Sequence, residues 1–170
     1  GIDVMDLVAY GEHLRADGEL ESFVLTDELR QYLPLDQFVA RRFAQRGLDR
    51  AAPRQSDLGV LLRRVAGVVR RLHEAGYNHR DLYCCHFFIR ESEPGCFDIR
   101  LIDLQRVQHR RRFRRRWIVK DLAQLAYSAP RDRISCVEKM AFARSYLGVK
   151  KLRPRHKRLL HASGVRVPLL

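Results

Sequence analysis

With 170 residues, 46% of them hydrophobic, the chain is long enough for one domain, or a large part of one, with a real core, and too apolar for disorder. Its formal charge of +13, from 33 basic and 20 acidic residues, points to an anionic partner. No apolar run reaches the roughly 18–20 residues that span a bilayer, and Asp3, Asp6 and Glu12 stand where a secretory signal would be cationic and then apolar, so a soluble, cytoplasmic chain is expected.

The first segment reads as strands. Residues 7–10 and 23–25 are short apolar runs, with Gly11 and Gly18 bracketing a polar turn between them. Leu33-Pro34 suits the first turn of a helix, in which Leu35, Phe38, Val39 and Phe43 keep helical spacing as far as Gly47. After a polar connection over 50–56, Ser56 can cap the strongest helix of the chain. There Leu58, Leu61, Leu62, Val65, Val69 and Leu72 make one apolar face, and Gly76 sits where a left-handed residue would end it. Residues 87–89 and 99–104 read as two strands joined by a turn over 91–96. Beyond an arginine-rich loop, helices are expected over 117–127, ended by Pro130, over 134–147, stopped by Gly148, and around 155–161. Strands first, helices after, and one embedded hairpin make an α+β fold that is mostly helical.

Cys84, Cys85, Cys96 and Cys136 show no C-x-x-C spacing, so reduced thiols are expected rather than a zinc site or a disulfide framework.

The chemistry concentrates between Gly76 and Leu104. Asn78-His79-Arg80-Asp81-Leu82 enters the hairpin and Leu101-Ile102-Asp103-Leu104 leaves it, which puts two carboxylates 22 residues apart at its two ends. Phosphoryl transfer needs such a pair: one carboxylate orients or accepts the proton of the attacking hydroxyl, the other holds Mg²⁺ on the nucleotide phosphates. H-R-D followed by an apolar strand and Asp is the kinase grammar, with Asp81 as base and Asp103 as metal ligand. The asparagine that binds a second Mg²⁺ in protein kinases is replaced by His86, five residues after Asp81. Imidazole is a poor ligand for hard Mg²⁺, so His86 contacts a phosphate, joins the metal site, or simply packs.

These residues resemble the lipopolysaccharide core heptose kinase family, within the Kdo/heptose kinase group of the protein-kinase-like superfamily. The resemblance rests on NHRDLYCCHF (78–87), LIDLQR (101–106), RRW (115–117) and KDL (120–122), and extends from about residue 7 to 147. It implies a protein-kinase-like fold, mainly the helical C-lobe plus hinge and last N-lobe strands. ATP and Mg²⁺ would be the cofactors, and a heptose hydroxyl of the lipopolysaccharide core the acceptor. It also makes the Cys-His-Phe at 85–87 a family trait and gives Asp121 and His79 supporting roles at the catalytic loop, beside Arg80. Asp27, Glu28 and Leu29 become hinge residues lining the nucleotide pocket; read alone they are equally a polar strand end.

No G-x-G-x-x-G occurs and no lysine precedes Lys120, although kinase-like folds use both a glycine-rich lid and a strand lysine. The N-lobe is therefore expected to be incomplete, with residues 1–29 its remnant plus hinge and 30–170 the C-lobe. A truncated or inactive kinase-like binding module is the alternative reading.

Between Arg106 and Arg116 seven of eleven residues are arginine. Such a run repels itself and needs solvent or a partner. Arg106, Arg110, Arg111 and Arg112 are candidates to grip an anionic core oligosaccharide, or an anionic membrane surface on which the protein would be peripheral; a purely solvated loop is the other possibility. A second cluster over 150–158 could extend that face. Trp117 reads as a core anchor for its helix. Nucleic acid is not expected, since only charge favours it and no binding motif is present.

Overall fold

The N-terminal apolar runs pair as an antiparallel hairpin, β1 (Leu7–Leu14) with β2 (Leu20–Thr26), in the computed structural model, which describes residues 1–44, 56–112 and 114–164. Gly11 lies inside β1 opposite Phe23, not at a turn; the Phe23 ring covers it so closely that a Cβ would sit 2.5 Å away. The turn is made further on, where Gly18 takes φ 86° and Arg15 and Glu19 bond through their backbones. Leu7, Val8, Tyr10, Phe23 and Val24 are exposed on this hairpin.

Leu33-Pro34 is not a helical turn but a short strand, β3 (Leu33–Pro34), paired with the later hairpin. Pro34 has extended backbone, φ −52° and ψ 143°, so helix α1 (Leu35–Arg42) starts one residue after it. Gly47 and residues 50–55 lie outside the described residues.

The central helix α2 (Asp57–Glu74) follows the expected pattern: Ser56 Oγ accepts from the Gly59 N–H at 3.1 Å, and all six residues of the apolar face are buried. Each contributes about 1.5–3 kcal/mol by leaving water. They meet Val39, Phe87, Phe97 and Leu122 in one core. Past the Ala75 cap, Gly76 takes φ 90° and turns the chain into β4 (Tyr77–Asn78).

The embedded hairpin is β5 (Phe87–Glu93) and β6 (Cys96–Leu101), with β3 on its edge. Its turn is tighter than expected, since Glu93 already faces Cys96. β6 stops at Leu101 rather than 104 because Asp103 adopts left-handed backbone, φ 57° and ψ 55°, which no strand tolerates. A 3₁₀ turn, Leu104–Arg106, leads to β7 (Gln108–His109), which pairs antiparallel with β4.

Helix α3 (Arg114–Ser128) begins three residues earlier than expected and takes Arg114, Arg115 and Arg116 into its first turn. Helix α4 (Cys136–Leu147) starts two residues late, at the Ser135–Glu138 capping box, and packs along α2. Gly148, at φ 63°, ends it, and α5 (Pro154–Ala162) follows with proline in its first turn. The architecture is α+β, with more helix than strand, although helices hold less than half of the described residues. Among the described residues no helix is long and apolar enough to cross a membrane.

Candidate catalytic site

Helix α3 presents a polar row, Asp121, Gln124 and Ser128, at the i, i+3, i+7 spacing of one helical face. That row straps the loop of residues 79–84. Asp121 accepts from the backbone N–H of His79 (Oδ2, 2.9 Å) and of Arg80 (Oδ1, 2.9 Å). Gln124 donates to the Arg80 carbonyl at 2.9 Å and accepts from the Leu82 N–H at 3.3 Å. Ser128 Oγ accepts from the Cys84 N–H at 2.9 Å. The loop has few backbone partners of its own, so a helix supplies them.

Asp121 is itself fully buried. Burial alone would raise its pKa, but hydrogen bonds from His73 and from the Arg80 and His79 amides outweigh it and hold the carboxyl below the usual range. His73 on α2 donates from Nε2 to Asp121 Oδ2 at 3.1 Å, and its Nδ1 accepts from the Tyr146 hydroxyl of α4 at 2.8 Å. Asn78 Nδ2 adds a longer contact of 3.3 Å to Asp121. His79 is buried beneath the loop, where its Nε2 donates to the Ile102 carbonyl at 3.0 Å and burial lowers its pKa.

One imidazole joins the two ends of the hairpin. His86 donates from Nδ1 to the Asp81 carbonyl at 2.7 Å, while its Nε2 lies 3.5 Å from Asp103 Oδ2. A carbonyl only accepts, so the Nδ1 proton is fixed and Nε2 in the neutral ring is a bare lone pair facing a carboxylate. A proton or a cation fits between two such donors. The Asp81 carboxylate is held by Arg106, whose Nη1 is 3.0 and 2.8 Å from its two oxygens. The side chains of Asp81 and Asp103 are 17% and 37% exposed.

Among the described residues no group of three or more His, Cys, Asp or Glu side chains is arranged to hold a metal. Asp103 offers a carboxylate oxygen, the donor type that Mg²⁺ takes in phosphoryl-transfer sites, whereas the His86 nitrogen beside it is a poor donor for so hard an ion. All four cysteines are free, and burial pushes the Cys84 thiol up to about 12.

The remaining candidates are more dispersed. The Asp27 N–H is already bonded to the Asp6 carbonyl, Glu28 pairs with Arg30, and Leu29 is half-buried. Arg111 and Arg112 are exposed, whereas Arg110 lies over the Trp117 ring at 4.2 Å. Trp117 is half-buried and surrounded by cations, so it does not anchor its helix in the core. Arg155 and Arg158, from the second basic cluster, share a groove of about 720 Å³ with Arg70, Arg114 and Arg115. An apolar cavity of about 690 Å³ opens between Leu62, Leu122, Ile134 and Phe142. Neither Asp81 nor Asp103 lines these two cavities.

Three participants are absent from the motifs read in the sequence. Gln124 and Ser128 could be found by asking which polar residues share the helical face of Asp121. His73 could be found as a polar residue four places after Val69, on the apolar stripe of α2.

The mixed α/β architecture, with its loop and hairpin aspartates, is consistent with a kinase-like fold. The sequence model of the Lipopolysaccharide kinase (Kdo/WaaP) family matches residues 1–146. Curated relatives include the lipopolysaccharide core heptose(I) kinase WaaP of Pseudomonas aeruginosa, 36% identical over 149 residues, covering 86% of this chain and 53% of the relative. The enzyme of the same name from Escherichia coli K12 is 32% identical over 171 residues, covering 98% and 62%. A solved structure described as WaaP in complex with acyl carrier protein aligns with TM-score 0.73 and 33% identity, over 96% of this chain and 65% of that one. The chain belongs to the lipopolysaccharide kinase (Kdo/WaaP) family, in agreement with the resemblance carried by its motifs. It spans roughly half to two thirds of the length of these relatives.

Proposed function

We propose that this chain is the catalytic part of a kinase that transfers the γ-phosphoryl group of ATP to a heptose hydroxyl of the lipopolysaccharide core. The relatives named as core heptose(I) kinases support the substrate class. The observation that carries the reading is the His86 bridge, which ties the Asp81 loop to Asp103 through a single ring.

Asp81 orients the acceptor hydroxyl and takes its proton, within a loop whose backbone is held by Asp121, Gln124 and Ser128. Asp103 would hold Mg²⁺, which when bound offsets charge on the nucleotide phosphates, and His86 beside it would assist at a phosphate or at the metal. Residues 27–29 would line the nucleotide pocket, with residues 1–29 as the end of an N-lobe and hinge. Arg111 and Arg112 face solvent, where they can attract an anionic oligosaccharide or a membrane leaflet to which the protein is peripheral. Association with acyl carrier protein is proposed on the strength of the solved neighbour alone.

The test is incubation of the intact protein with labelled ATP, Mg²⁺ and dephosphorylated core oligosaccharide, followed by mass spectrometry of the product. One added phosphate on a heptose is expected. Label on another sugar, or none on any acceptor while the protein binds ATP, overturns the assignment.

A further inference from the structure

Among the described residues the cations around Trp117 have no counter-charge. Arg80 lies 5.5 Å from the centre of the indole, Arg110 4.2 Å, Arg116 5.9 Å and Lys120 5.6 Å. The ring faces satisfy part of this charge. Yet four positive groups within 5.9 Å of one point also repel each other. Among the described residues no carboxylate lies within ion-pair distance of any of them: Asp81 is taken by Arg106 and Asp121 faces His73 and the loop amides. The Nε atoms of Arg80 and Arg110 are buried without a partner.

The placement of Arg80 is constrained by three separate features. Its backbone is left-handed, φ 74°, its N–H is held by Asp121 and its carbonyl by Gln124. A non-glycine residue persists in that conformation only where its surroundings hold it, here through the two bonds from α3. The result is a guanidinium directed at Trp117 from the residue next to Asp81.

We propose that Trp117, Arg80, Arg110, Arg116 and Lys120 form a subsite for a phosphate group carried by the acceptor. The inference rests on the kinase reading for the identity of the acceptor, though not for the binding of the anion. Guanidinium forks and an ammonium match phosphate oxygens. The anion must come from outside this segment, because residues 104–120 contain no serine, threonine or tyrosine that could be phosphorylated. Phosphate seated here would place the acceptor beside Asp81 and make the enzyme prefer a core that already bears phosphate nearby.

Trp117 is the single tryptophan of the chain, so its emission reports on the subsite directly. The experiment titrates the chain with inorganic phosphate, glucose 6-phosphate, glucose, and chloride at matched ionic strength, with calorimetry as the second measurement. Saturable change with both phosphates and none with glucose or chloride is expected. Arg110→Ala with Lys120→Ala should weaken apparent phosphate affinity at least tenfold. Arg155→Ala with Arg158→Ala, which removes equal charge from the other basic groove, should change it less than twofold. Equal responses to phosphate and chloride, or equal loss in both double variants, overturn the subsite. Competition by Mg²⁺–ATP assigns the phosphate to the nucleotide and overturns the acceptor role. Because the titration needs no turnover, binding that persists in a protein without phosphoryl transfer would sink the kinase reading and leave the subsite standing.

Discussion

Arg106 reaches both carboxylate oxygens of Asp81 with one nitrogen, at 3.0 and 2.8 Å. The arginine is half exposed, so the pair can exchange with solvent or substrate at little cost, as rim ion pairs do. Arg106 thus holds the loop aspartate by a defined contact, and on the proposed reading it would orient that carboxylate for the acceptor.

Asp81→Asn should lower kcat at least about 10²-fold in the intact protein, the low end for a lost general base. Arg106→Ala should lower kcat by less, and the double variant should be no slower than Asp81→Asn, since the two act through one contact. Steady-state kinetics of the three variants check this; additive losses would separate the two residues.

Asp121→Ala removes the acceptor of two loop amides and of His73. Breaking a buried charged network by deleting one member costs about 3–5 kcal/mol. The urea midpoint should fall accordingly, with Gln124→Ala milder because its hydrogen bonds are neutral.

Stability should fall on acidification. The folded pKa of His79 is lowered by burial, so the unfolded chain binds its proton first. Its contribution is complete above the unfolded value, about 6.5, and is lost as pH falls through the depressed folded value. Asp121, also lowered, adds a further loss beginning near its unfolded value of about 3.9. Urea melts from pH 8 to 4 should therefore show a declining midpoint. His79→Gln should flatten the limb between pH 7 and 5.

Gly76→Ala places a Cβ on backbone at φ 90° and 2.7 Å from the His109 ring. The conformational cost alone is roughly 1–2 kcal/mol. Gly18→Ala, at φ 86° with nothing within 4 Å, carries only that part. Thermal melts should rank Gly76→Ala as the more damaging, with the excess reporting the β4–β7 pair.

Neutralising Arg111 and Arg112 should raise the acceptor KM with kcat unchanged and flatten its salt dependence. Initial rates at two ionic strengths check it.

The elements that could be read ahead are those with a period. Six apolar residues on α2 declare a face, and Ser56 and Gly76 mark its ends. The strands β4 and β7 have two residues each, too few for any alternation, and they exist because two loops meet in space. Asp103 is visible as a residue after an apolar run, but its left-handed backbone is not, so the apolar run predicts a strand that extends past Leu101. Asp81 and Asp103 stand out through motif spacing, and Asp121 through the family resemblance of its Lys-Asp-Leu segment. His73 reaches Asp121 from 48 residues before it, and Tyr146, 25 residues after Asp121, bonds to the far side of that imidazole; such a meeting is decided by packing.

The Asn78–Gln108 pair draws together the chain that enters the loop and the chain that has left the hairpin, so Asp81 and Asp103 lie on one stretch closed at its base. The far tip, Pro94-Gly95, lies beyond the last rung at Glu93 and Cys96. An exchange of Pro94 would therefore leave the rungs from Phe87–Leu101 to Glu91–Phe97, and the aspartates at their near end, where they are.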